Sequence, residues 1–369
     1  MTTGLLLING VLPLLVLLPA WLAPSLSGPT LAFGVRVPAA HAAAPVIAEQ
    51  RRAYRRWVTL GGAALVPLAL ALSAVVTGTV LRTVGPLAAV AVCLAGYLRA
   101  NRAIRAVKQR EDWYRGLRQA VVTDTTLRTR PEPFPWPWAT PAALVLAIST
   151  ALGIARYPSL PDRLPMHFDG PGHADRFAAT SVGTAFAPVF AQAATLGLLL
   201  AVTWLAFRSR ADLDPARPGI TAHQHRGFIR RTAISVLLLT ACANLSILAA
   251  AWQIWNGDRT LTLLPVIAPV TVGLALAIGV AVRTGRNGSR LAARPTPGTT
   301  EPKESDEVHQ DDDRLWRAGG LFYVNRQDSA VFVPKRFGVG WTVNFGNPRS
   351  AGLAVLLIAF VVLMSLIGR

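Results

Sequence analysis

The chain has 369 residues, of which 52% are hydrophobic and only 15% are charged, and its formal net charge is +18. The apolar residues occur in long blocks, which excludes an ordinary soluble domain, because a block of about 18 or more can cross a bilayer as a helix. The high positive charge could indicate a nucleic-acid-binding protein. However, the basic residues are concentrated between the apolar blocks, which favours a role in membrane topology instead.

The apolar blocks predict an all-α polytopic membrane protein with about eight transmembrane helices. The predicted spans are 4–24, 58–81, 84–100, 137–156, 182–207, 229–252, 261–283 and 351–367. We interpret the first block as a retained helix rather than a signal peptide, because no basic residue precedes it. Cys93 and Cys242 lie within spans and are predicted to be small buried residues, neither a disulfide nor a metal pair.

The distribution of basic residues predicts the orientation of the chain in the membrane. Of the 37 Lys and Arg residues, 31 fall in four segments, 25–57, 99–135, 208–231 and 283–350. Basic loops are retained in the cytoplasm. We therefore expect a multi-pass membrane protein, with these four segments inside and both termini extracytoplasmic.

The inner segments have different predicted structures. After the third span, apolar residues continue at helical spacing as far as Val121, which predicts an amphipathic helix on the inner membrane surface. Residues 284–314 are rich in Gly, Pro, Thr and charge, and predict a disordered linker. Short runs of β-prone residues between Gly and Asn turns predict a small unit of two or three strands in 315–350. The tripeptide Phe33-Gly34-Val35 recurs at 337–339.

The predicted organisation has five parts. They are 1–135, an N-terminal three-helix membrane region with a cytoplasmic amphipathic helix; 136–283, a membrane core carrying an extracytoplasmic loop at 157–181; 284–314, a disordered cytoplasmic linker; 315–350, an aromatic and basic cytoplasmic module before the last helix; and 351–369, the last transmembrane helix.

The loop LPDRLPMHFDGPGHADRF (160–177) concentrates polar residues in an otherwise apolar sequence. His167, Asp169, His173 and Asp175 could approach one point, and imidazole with carboxylate suits Zn²⁺. The spacing provides no His pair on one helical face, and the segment is rich in Pro and Gly. We therefore predict a structural loop without a metal, whose apolar residues pack on the helix ends.

The same loop resembles a bacterial membrane family of unknown function, of the DUF1648 type, which also occurs in Sdp-type toxin immunity proteins. The resemblance implies a place in the bacterial cell (plasma) membrane and an immunity-like role, with toxin neutralisation and signalling to a repressor in the relatives. Arg176 stands where family members often have Lys. The matching positions are Leu160, Pro161, Leu164, Pro165, His167, Phe168, Gly172 and Asp175.

The segment before the last span is similar to a short companion module of unknown function, of the DUF5808 type. Its aromatic residues with Lys335 and Arg336 favour either a clamp on anionic lipid or a protein-docking surface. A third interpretation is packing against the chain's own inner loops, beginning with Phe33-Gly34-Val35. The matching positions are Trp316, Gly320, Phe322, Tyr323, Asn325, Asp328, Phe332, Pro334, Lys335, Arg336, Gly338, Gly340, Trp341, Asn344, Phe345, Asn347 and Pro348.

The sequence contains no conventional catalytic motif, and the expected protein is non-enzymatic and without a cofactor. Gln192 and Asn244, the notable polar residues within spans, are predicted to make interhelical hydrogen bonds. We expect a sensing or immunity-like envelope role. The alternative is a small-molecule transporter or channel, and a membrane-embedded metal-dependent enzyme ranks last. The expected partners are membrane lipids, an extracellular peptide ligand and a cytoplasmic regulator protein, without direct contact to nucleic acid.

Overall fold

The structure is a computed structural model that describes residues 10–75, 84–122, 124–169, 172–292, 307–338 and 340–367. Its main elements are helices, and six of those described are long and apolar enough to cross a membrane. The helices are α1 Leu12–Leu26, α2 Pro45–Val75, α3 Val84–Arg110, α4 Thr126–Thr129, α5 Thr140–Arg156, α6 Val182–Phe207, α7 Pro218–Asn256, α8 Leu263–Thr284 and α9 Pro348–Ile367.

The polytopic helical fold predicted from the sequence is confirmed, and each predicted span corresponds to a helix. The six membrane-length helices are α2, α3, α5 to α8, while α1 is a shorter apolar helix and α9 has 20 residues. Residues 1–9 and 76–83, which belong to the first two predicted spans, lie outside the described residues. Cys93 is buried, as predicted, whereas Cys242 is only half-buried.

Two helical groups form the membrane region. In the first, α1, α2 and α3 pack on one another around a core that includes Leu17, Tyr54, Val58, Ala89 and Tyr97. In the second, the 39-residue helix α7 is central and packs on α5, α6 and α8. The last helix, α9, contacts α6.

The four basic segments meet at one end of the helices, which we call the basic end. There Arg36 contacts Asp212, Asp212 contacts Arg286, and Lys108 contacts Asp313. The loops at 157–181 and 257–262 meet at the other end, which we call the motif end, where the Ala174 amide donates to the Arg259 carbonyl oxygen at 2.8 Å. The alternation of spans inferred from the basic residues is therefore reproduced by the fold.

The prediction that the third span continues as an amphipathic surface helix to Val121 is wrong. The helix ends at Arg110 and is followed by turns, with Asp112 at φ 45°. Strand β3, Gln119–Ala120, then pairs in parallel with β6, Val308–His309. The face that carries Ala100 and Ile104 is buried within the protein rather than lying on the membrane surface.

The predicted disordered linker at 284–314 is wrong at both ends. Residues 286–288 form a 3-10 turn that follows α8, and residues 308–309 form strand β6. Asp313 begins another 3-10 turn and is 8% exposed. Residues 293–306, the middle of the predicted linker, lie outside the described residues. The acidic residues are ordered because they are paired with buried cations, as described below.

Short antiparallel hairpins complete the fold, and each is a two-stranded sheet. Their strands are β1 Leu31–Ala32 with β2 Val35–Arg36, β4 Arg163–Phe168 with β5 Ala174–Ala179, β7 Trp316–Arg317 with β8 Phe322–Tyr323, and β9 Phe332–Pro334 with β10 Trp341–Val343. The last two confirm the β-prone module before the final helix. The hairpin at the motif end was not predicted, because Pro and His interrupt the alternation that indicates a strand.

Candidate functional site

The motif end is built on the β4–β5 hairpin, which replaces the extended loop predicted there. Leu164 and Pro165 are buried beneath it, and Leu164 is 0% exposed. Leu160 packs in a cluster with Trp255 at the ends of the helices. The indole of Trp255 in turn donates to the Ala185 carbonyl oxygen at 2.8 Å. The apolar motif residues therefore fasten the hairpin to α6 and α7.

The tip of the hairpin is fixed to the loop that joins α7 and α8. Gly172 has φ +96°, a conformation that favours glycine, and a Cβ there would lie 3.2 Å from the Leu261 carbonyl oxygen. Its own carbonyl oxygen accepts from the Leu261 amide at 2.7 Å. Asp169 accepts from the His173 amide at 2.7 Å. The motif glycine is therefore required by a close backbone contact.

His167 and Asp175, the polar residues of the motif, form a pair across the hairpin. The His167 Nδ1 and Asp175 Oδ1 atoms are 2.6 Å apart, and both side chains are about half exposed. His173 and Asp169 form a separate, longer contact of 3.7 Å. Within the ranges described above, no group of three or more His, Cys, Asp or Glu side chains could hold a metal ion. The His167–Asp175 pair is therefore exposed to solvent.

At the basic end, the two C-terminal hairpins form one small module around Asn344, which is 0% exposed. The Asn344 side-chain amide donates to the carbonyl oxygens of Asn325, Asp328 and Ala330 at 2.9–3.2 Å. Its Oδ1 accepts from the backbone amides of Asn325 and Gly346, both at 3.0 Å. This one side chain contacts five backbone groups, with its two N–H donors shared among three carbonyl oxygens, which explains why the motif has Asn at this position.

The module is packed against the first helical group through aromatic residues and glycines. The Phe337 ring lies 4.2 Å from that of Tyr97 and stacks at 6.4 Å on that of Phe33. The Tyr97 hydroxyl donates to the Gly319 carbonyl oxygen at 2.6 Å. The recurrent tripeptides noted in the sequence thus contact each other through their phenylalanines. Of the three interpretations of the module given above, packing against the chain's own inner loops agrees with this contact.

A charge network lies beneath the module and is centred on Asp313. This carboxylate accepts from the Arg36 backbone amide at 3.1 Å, from Lys108 Nζ at 2.6 Å and from Arg336 Nη1. Arg336 also binds Asp312 and donates to the Gly34 carbonyl oxygen at 2.8 Å. Burial opposes ionisation of Asp313, but Arg336 and Lys108 outweigh it and hold its pKa below the ordinary value.

Asp212 extends this network to the second helical group. It lies in the loop between α6 and α7 and receives both terminal nitrogens of Arg36 at 3.2 Å. Arg286, which follows α8, donates to the same carboxylate at 2.9 Å and to the Lys335 carbonyl oxygen at 2.7 Å. Although its partial burial opposes ionisation, Arg36 and Arg286 hold the pKa of Asp212 well below the usual range. One carboxylate therefore connects both helical groups to the module.

With this geometry established, the comparisons with known proteins can be placed on the structure. Residues 144–191 match a family model described as a domain of unknown function, DUF1648. Residues 326–350 match a second model, described as a family of unknown function, DUF5808. Both resemblances predicted from the sequence are confirmed. Neither the curated proteins nor the solved structures give a match to this chain.

The DUF1648 segment covers part of α5, the whole β4–β5 hairpin and the start of α6. The DUF5808 segment covers β9, β10 and the first residues of α9. Within the latter, Asn347 accepts from the Arg349 amide at 3.0 Å, and Pro348 is the first residue of α9. An Asn before a helix with Pro at its first position is a favourable helix start. The segment therefore joins the module rigidly to the last helix.

The motif residues of the module divide into buried and exposed groups. Arg336 is 1% exposed and cannot meet lipid headgroups, whereas Lys335 is exposed. The joint role predicted for these two neighbours is therefore wrong for Arg336. The buried group also contains Trp316, Tyr323, Phe332, Pro334, Asn344 and Asn347. Phe322 and Phe345 are exposed and contact each other at 5.4 Å.

The remaining motif residues shape the module's turns and its contact with α7. Gly320, Gly338 and Gly340 all have positive φ angles, between 79° and 105°. The Trp341 ring lies 5.3 Å from that of Phe228 on α7. Asn325 donates to the Tyr323 hydroxyl, which in turn donates to Asp328 at 3.1 Å.

Sequence reasoning missed the residues that the module binds, namely Arg36, Lys108, Asp212 and Arg286. Each is an ordinary charged residue in one of the four basic segments, and its partner is far away in the chain. Arg36 and Asp212 are separated by 176 positions. One local signal was present, the run of Asp311, Asp312 and Asp313 beside a basic module. Such a run indicates that the carboxylates pair with cations, but it does not identify those cations.

A polar cavity of about 320 Å³ lies between the module and the loops of the basic end. Its lining includes Arg36, Asp212, His309, Tyr323, Asn325 and Asp328. Burial, followed by repulsion from Arg36, lowers the pKa of His309 to about 4. The cavity is therefore lined by the neutral imidazole of His309 and by charged side chains that are already paired with one another.

The polar residues within the second helical group bind each other. Gln192 donates to the Ser149 hydroxyl at 2.9 Å and to the Asn244 carbonyl oxygen at 2.8 Å. The Asn244 amide donates to the Ala142 carbonyl oxygen at 3.2 Å. The interhelical hydrogen bonds predicted for Gln192 and Asn244 are confirmed.

Proposed function

We propose that this protein is a non-enzymatic sensor of the bacterial plasma membrane with an immunity-like role. In this proposal the motif end faces outward, and its hairpin binds an extracellular peptide or other envelope ligand. The basic end faces the cytoplasm, and the C-terminal module is the element that responds to binding. The observation that carries the proposal is the path of α6 from the hairpin to Asp212.

Helix α6 begins directly after the hairpin and is firmly capped there. The Ser181 hydroxyl accepts from the Thr184 amide at 3.2 Å, while the Thr184 hydroxyl accepts from the Ser181 amide at 2.9 Å. This reciprocal arrangement is a capping box. The helix then runs over Val182–Phe207 to the loop that contains Asp212. A displacement of the hairpin would therefore be carried by a rigid element to the charge network.

The charge network gives such a displacement a defined consequence. Asp212 binds Arg36 and Arg286 together, and Arg36 in turn lies against Asp312 and Asp313. Moving Asp212 would take one carboxylate partner from each of two buried guanidinium groups, those of Arg36 and Arg286, which costs several kcal/mol. Release of the module from the helices would restore hydration to these groups. Binding at the hairpin would thereby expose a new cytoplasmic surface for a regulator.

The test uses a cysteine placed under the module. Val35 is 0% exposed and packs in the core cluster to which Leu321 and Phe337 of the module contribute. In a background with Cys93 and Cys242 replaced by Ala, Val35→Cys should react slowly with a membrane-permeant maleimide. Asp212→Asn should raise the rate by about tenfold or more, because it releases the module.

The decisive comparison is between two sets of changes in the hairpin, both in the Val35→Cys reporter. His167→Ala with Asp175→Ala removes the exposed pair, and we expect it to change the labelling rate at least threefold. His173→Ala is the matched control and should leave the rate unchanged. If Asp212→Asn raises labelling but the paired hairpin change does not, the hairpin and module are not coupled and the sensing proposal is wrong.

A further inference from the structure

A groove between α7 and α8 opens at the basic end of the second helical group. Its volume is about 300 Å³ and its surface is almost entirely apolar. One face of each helix contributes, with residues at helical spacing on both sides. The lining residues are Arg231, Ile234, Ser235 and Leu238 of α7, with Leu276, Ala277, Val280, Arg283 and Thr284 of α8.

The polar residues of the groove gather at one of its ends. Because α7 and α8 run in opposite directions, Arg231 at the start of one lining face lies level with Arg283 and Thr284 at the end of the other. Leu238 and Leu276 lie at the opposite end of the groove. The seven residue steps from Arg231 to Leu238 rise by about 10 Å along the helix. The groove thus has two cations at one end. From them an apolar channel runs between α7 and α8 towards the middle of their length.

The two cations differ from the arginines of the charge network. Arg36, Arg286 and Arg336 each bind a carboxylate within hydrogen-bond distance. Arg231 and Arg283 are exposed, and neither has an ion pair with an acidic residue in the part of the chain that the structure describes. Two such guanidinium groups at the same end of one groove suit an anion, and the planar guanidinium is well matched to phosphate.

A buried hydroxyl provides a second observation at the same end of the groove. Thr284 is 1% exposed, and its Oγ1 has no hydrogen-bond partner among the described residues. Buried hydroxyls are normally hydrogen-bonded, because an unpaired one costs free energy. A phosphate or ester oxygen entering beside Arg283 would accept this hydrogen bond. At this end of the groove, therefore, the Thr284 hydroxyl lacks a hydrogen-bond acceptor and the two arginines lack a negatively charged partner.

We propose that this groove binds an anionic phospholipid of the surrounding membrane. The phosphate lies between Arg231 and Arg283 and accepts from the Thr284 hydroxyl, and one acyl chain follows the apolar channel past Ala277. A free anion would not need the apolar channel, and a neutral lipid would not need the two arginines. Both helices belong to the membrane-length set, and basic pockets between such helices suit anionic headgroups.

The experiment measures lipid binding to the purified full-length protein in detergent by native mass spectrometry. The probes are phosphatidylglycerol and phosphatidylcholine with identical acyl chains. Arg231→Gln with Arg283→Gln should weaken phosphatidylglycerol binding about thirty-fold, a factor of about five for each arginine, and leave phosphatidylcholine unchanged. The matched control, Arg99→Gln with Arg102→Gln, removes two exposed arginines from the basic end of α3 and should change binding less than twofold.

A second variant tests the channel and does not remove charge. Ala277→Phe fills the apolar end of the groove, away from both arginines, and should weaken phosphatidylglycerol binding at least tenfold, even if the double Gln variant fails to fold. Two results would overturn the proposal. One is equal weakening by the α3 control, which would indicate general surface charge. The other is wild-type phosphatidylglycerol binding by Ala277→Phe or by a folded double Gln variant.

Discussion

Arg336 and Gly34 are joined by a 2.8 Å hydrogen bond across 302 positions of the chain. The guanidinium also binds Asp312 and Asp313 and lies over the Trp316 ring, 4.9 Å from its centre. Its side chain is 1% exposed, so hydration cannot replace any of these partners. This single residue therefore connects the last module of the protein to the loop after its first helix.

Arg336→Gln should destabilise the protein far more than the same change at the neighbouring residue. Removing the guanidinium takes one cation from each of two partly buried carboxylates, and breaking a buried ion pair in this way costs about 3–5 kcal/mol. Lys335→Gln is the matched control, and because Lys335 is exposed it should change the free energy of unfolding by less than about 0.5 kcal/mol. Thermal unfolding of the purified variants in detergent checks both values. Equal effects at the two positions would contradict the separate roles assigned to them.

The close approach of two glycines beneath Arg336 predicts a second difference. Gly34 has φ +77°, and a Cβ there would lie 2.4 Å from the Tyr97 hydroxyl and 2.5 Å from the Gly319 carbonyl oxygen. Gly116 has a similar φ of +72°, with nothing within 4 Å of its Cβ position. Gly116→Ala should cost about 1–2 kcal/mol from backbone strain alone. Gly34→Ala should cost about 1–3 kcal/mol more from overpacking.

Limited proteolysis distinguishes the two causes in this pair. If module packing is the reason for Gly34, the Gly34→Ala variant should be cut faster within 307–347, whereas Gly116→Ala should retain the wild-type pattern there. Matching stability losses and matching cleavage patterns would show that only the backbone conformation matters at Gly34.

The sequence predicted the helices because each apolar block is a local signal. The apolar blocks located the spans but predicted too short a helix for α2, which begins at Pro45 rather than at 58. Its first turns contain Arg51, Arg52 and Arg55, which hydropathy excludes but which are good helix formers. A search for apolar residues therefore gives the part of a helix that lies in the bilayer and omits the part that extends beyond it.

The candidate sites were less predictable, because their contacts join distant residues. Asp313 binds Lys108 across 205 positions, and neither residue stands out in its local sequence. The motif residues His167 and Asp175 were identified individually through the family resemblance. Their pairing depends on the β4–β5 register, which has irregularities on both sides of His167. Neither a register shift nor a distant ion pair leaves a periodic pattern in a single sequence.

Docking of the module should weaken as the pH falls from neutral to mildly acidic values. Burial and Arg36 lower the pKa of His309 from 6.5 to about 4 in the folded state. Between these two values the released state binds a proton that the docked state does not, so stability falls as pH decreases. At pH 5 the loss should be about 2 kcal/mol. His309→Gln should remove this dependence.

A second loss of docking is expected at lower pH, from the carboxylates of the network. The folded-state pKa values of Asp212 and Asp313 are both depressed, so their contribution is fully present above about pH 4. It disappears as the pH falls through the depressed values. Maleimide labelling of Val35→Cys in detergent at stepped pH, corrected for the intrinsic thiol reaction rate, measures both phases. A profile that is flat between pH 7 and 5 would show that His309 is not held in its neutral form.

The hairpin at the motif end should depend on its apolar residues rather than on its second histidine. Leu164→Ala empties a fully buried position and should cost about 2–5 kcal/mol. Pro165→Ala and Phe168→Ala should also be destabilising, since the first is buried and the second half-buried. His173→Ala should cost less than about 1 kcal/mol, because its contact with Asp169 is exposed. Stoichiometric zinc in the purified protein, lost on His173→Ala, would instead establish a metal site.

The orientation of the chain can be tested at two serines. Ser159 lies at the motif end and Ser289 at the basic end, and both are exposed. A cysteine at either position should therefore react with a thiol reagent whenever the reagent reaches that side of the membrane.

Because 31 of the 37 basic residues lie in the segments that meet at the basic end, we expect that end inside. With Cys93 and Cys242 replaced, an impermeant maleimide on intact cells should label Ser159→Cys and not Ser289→Cys. Permeabilised cells should label both variants, which controls for local reactivity. Labelling of Ser289→Cys alone on intact cells would reverse the orientation and place the module outside the cell.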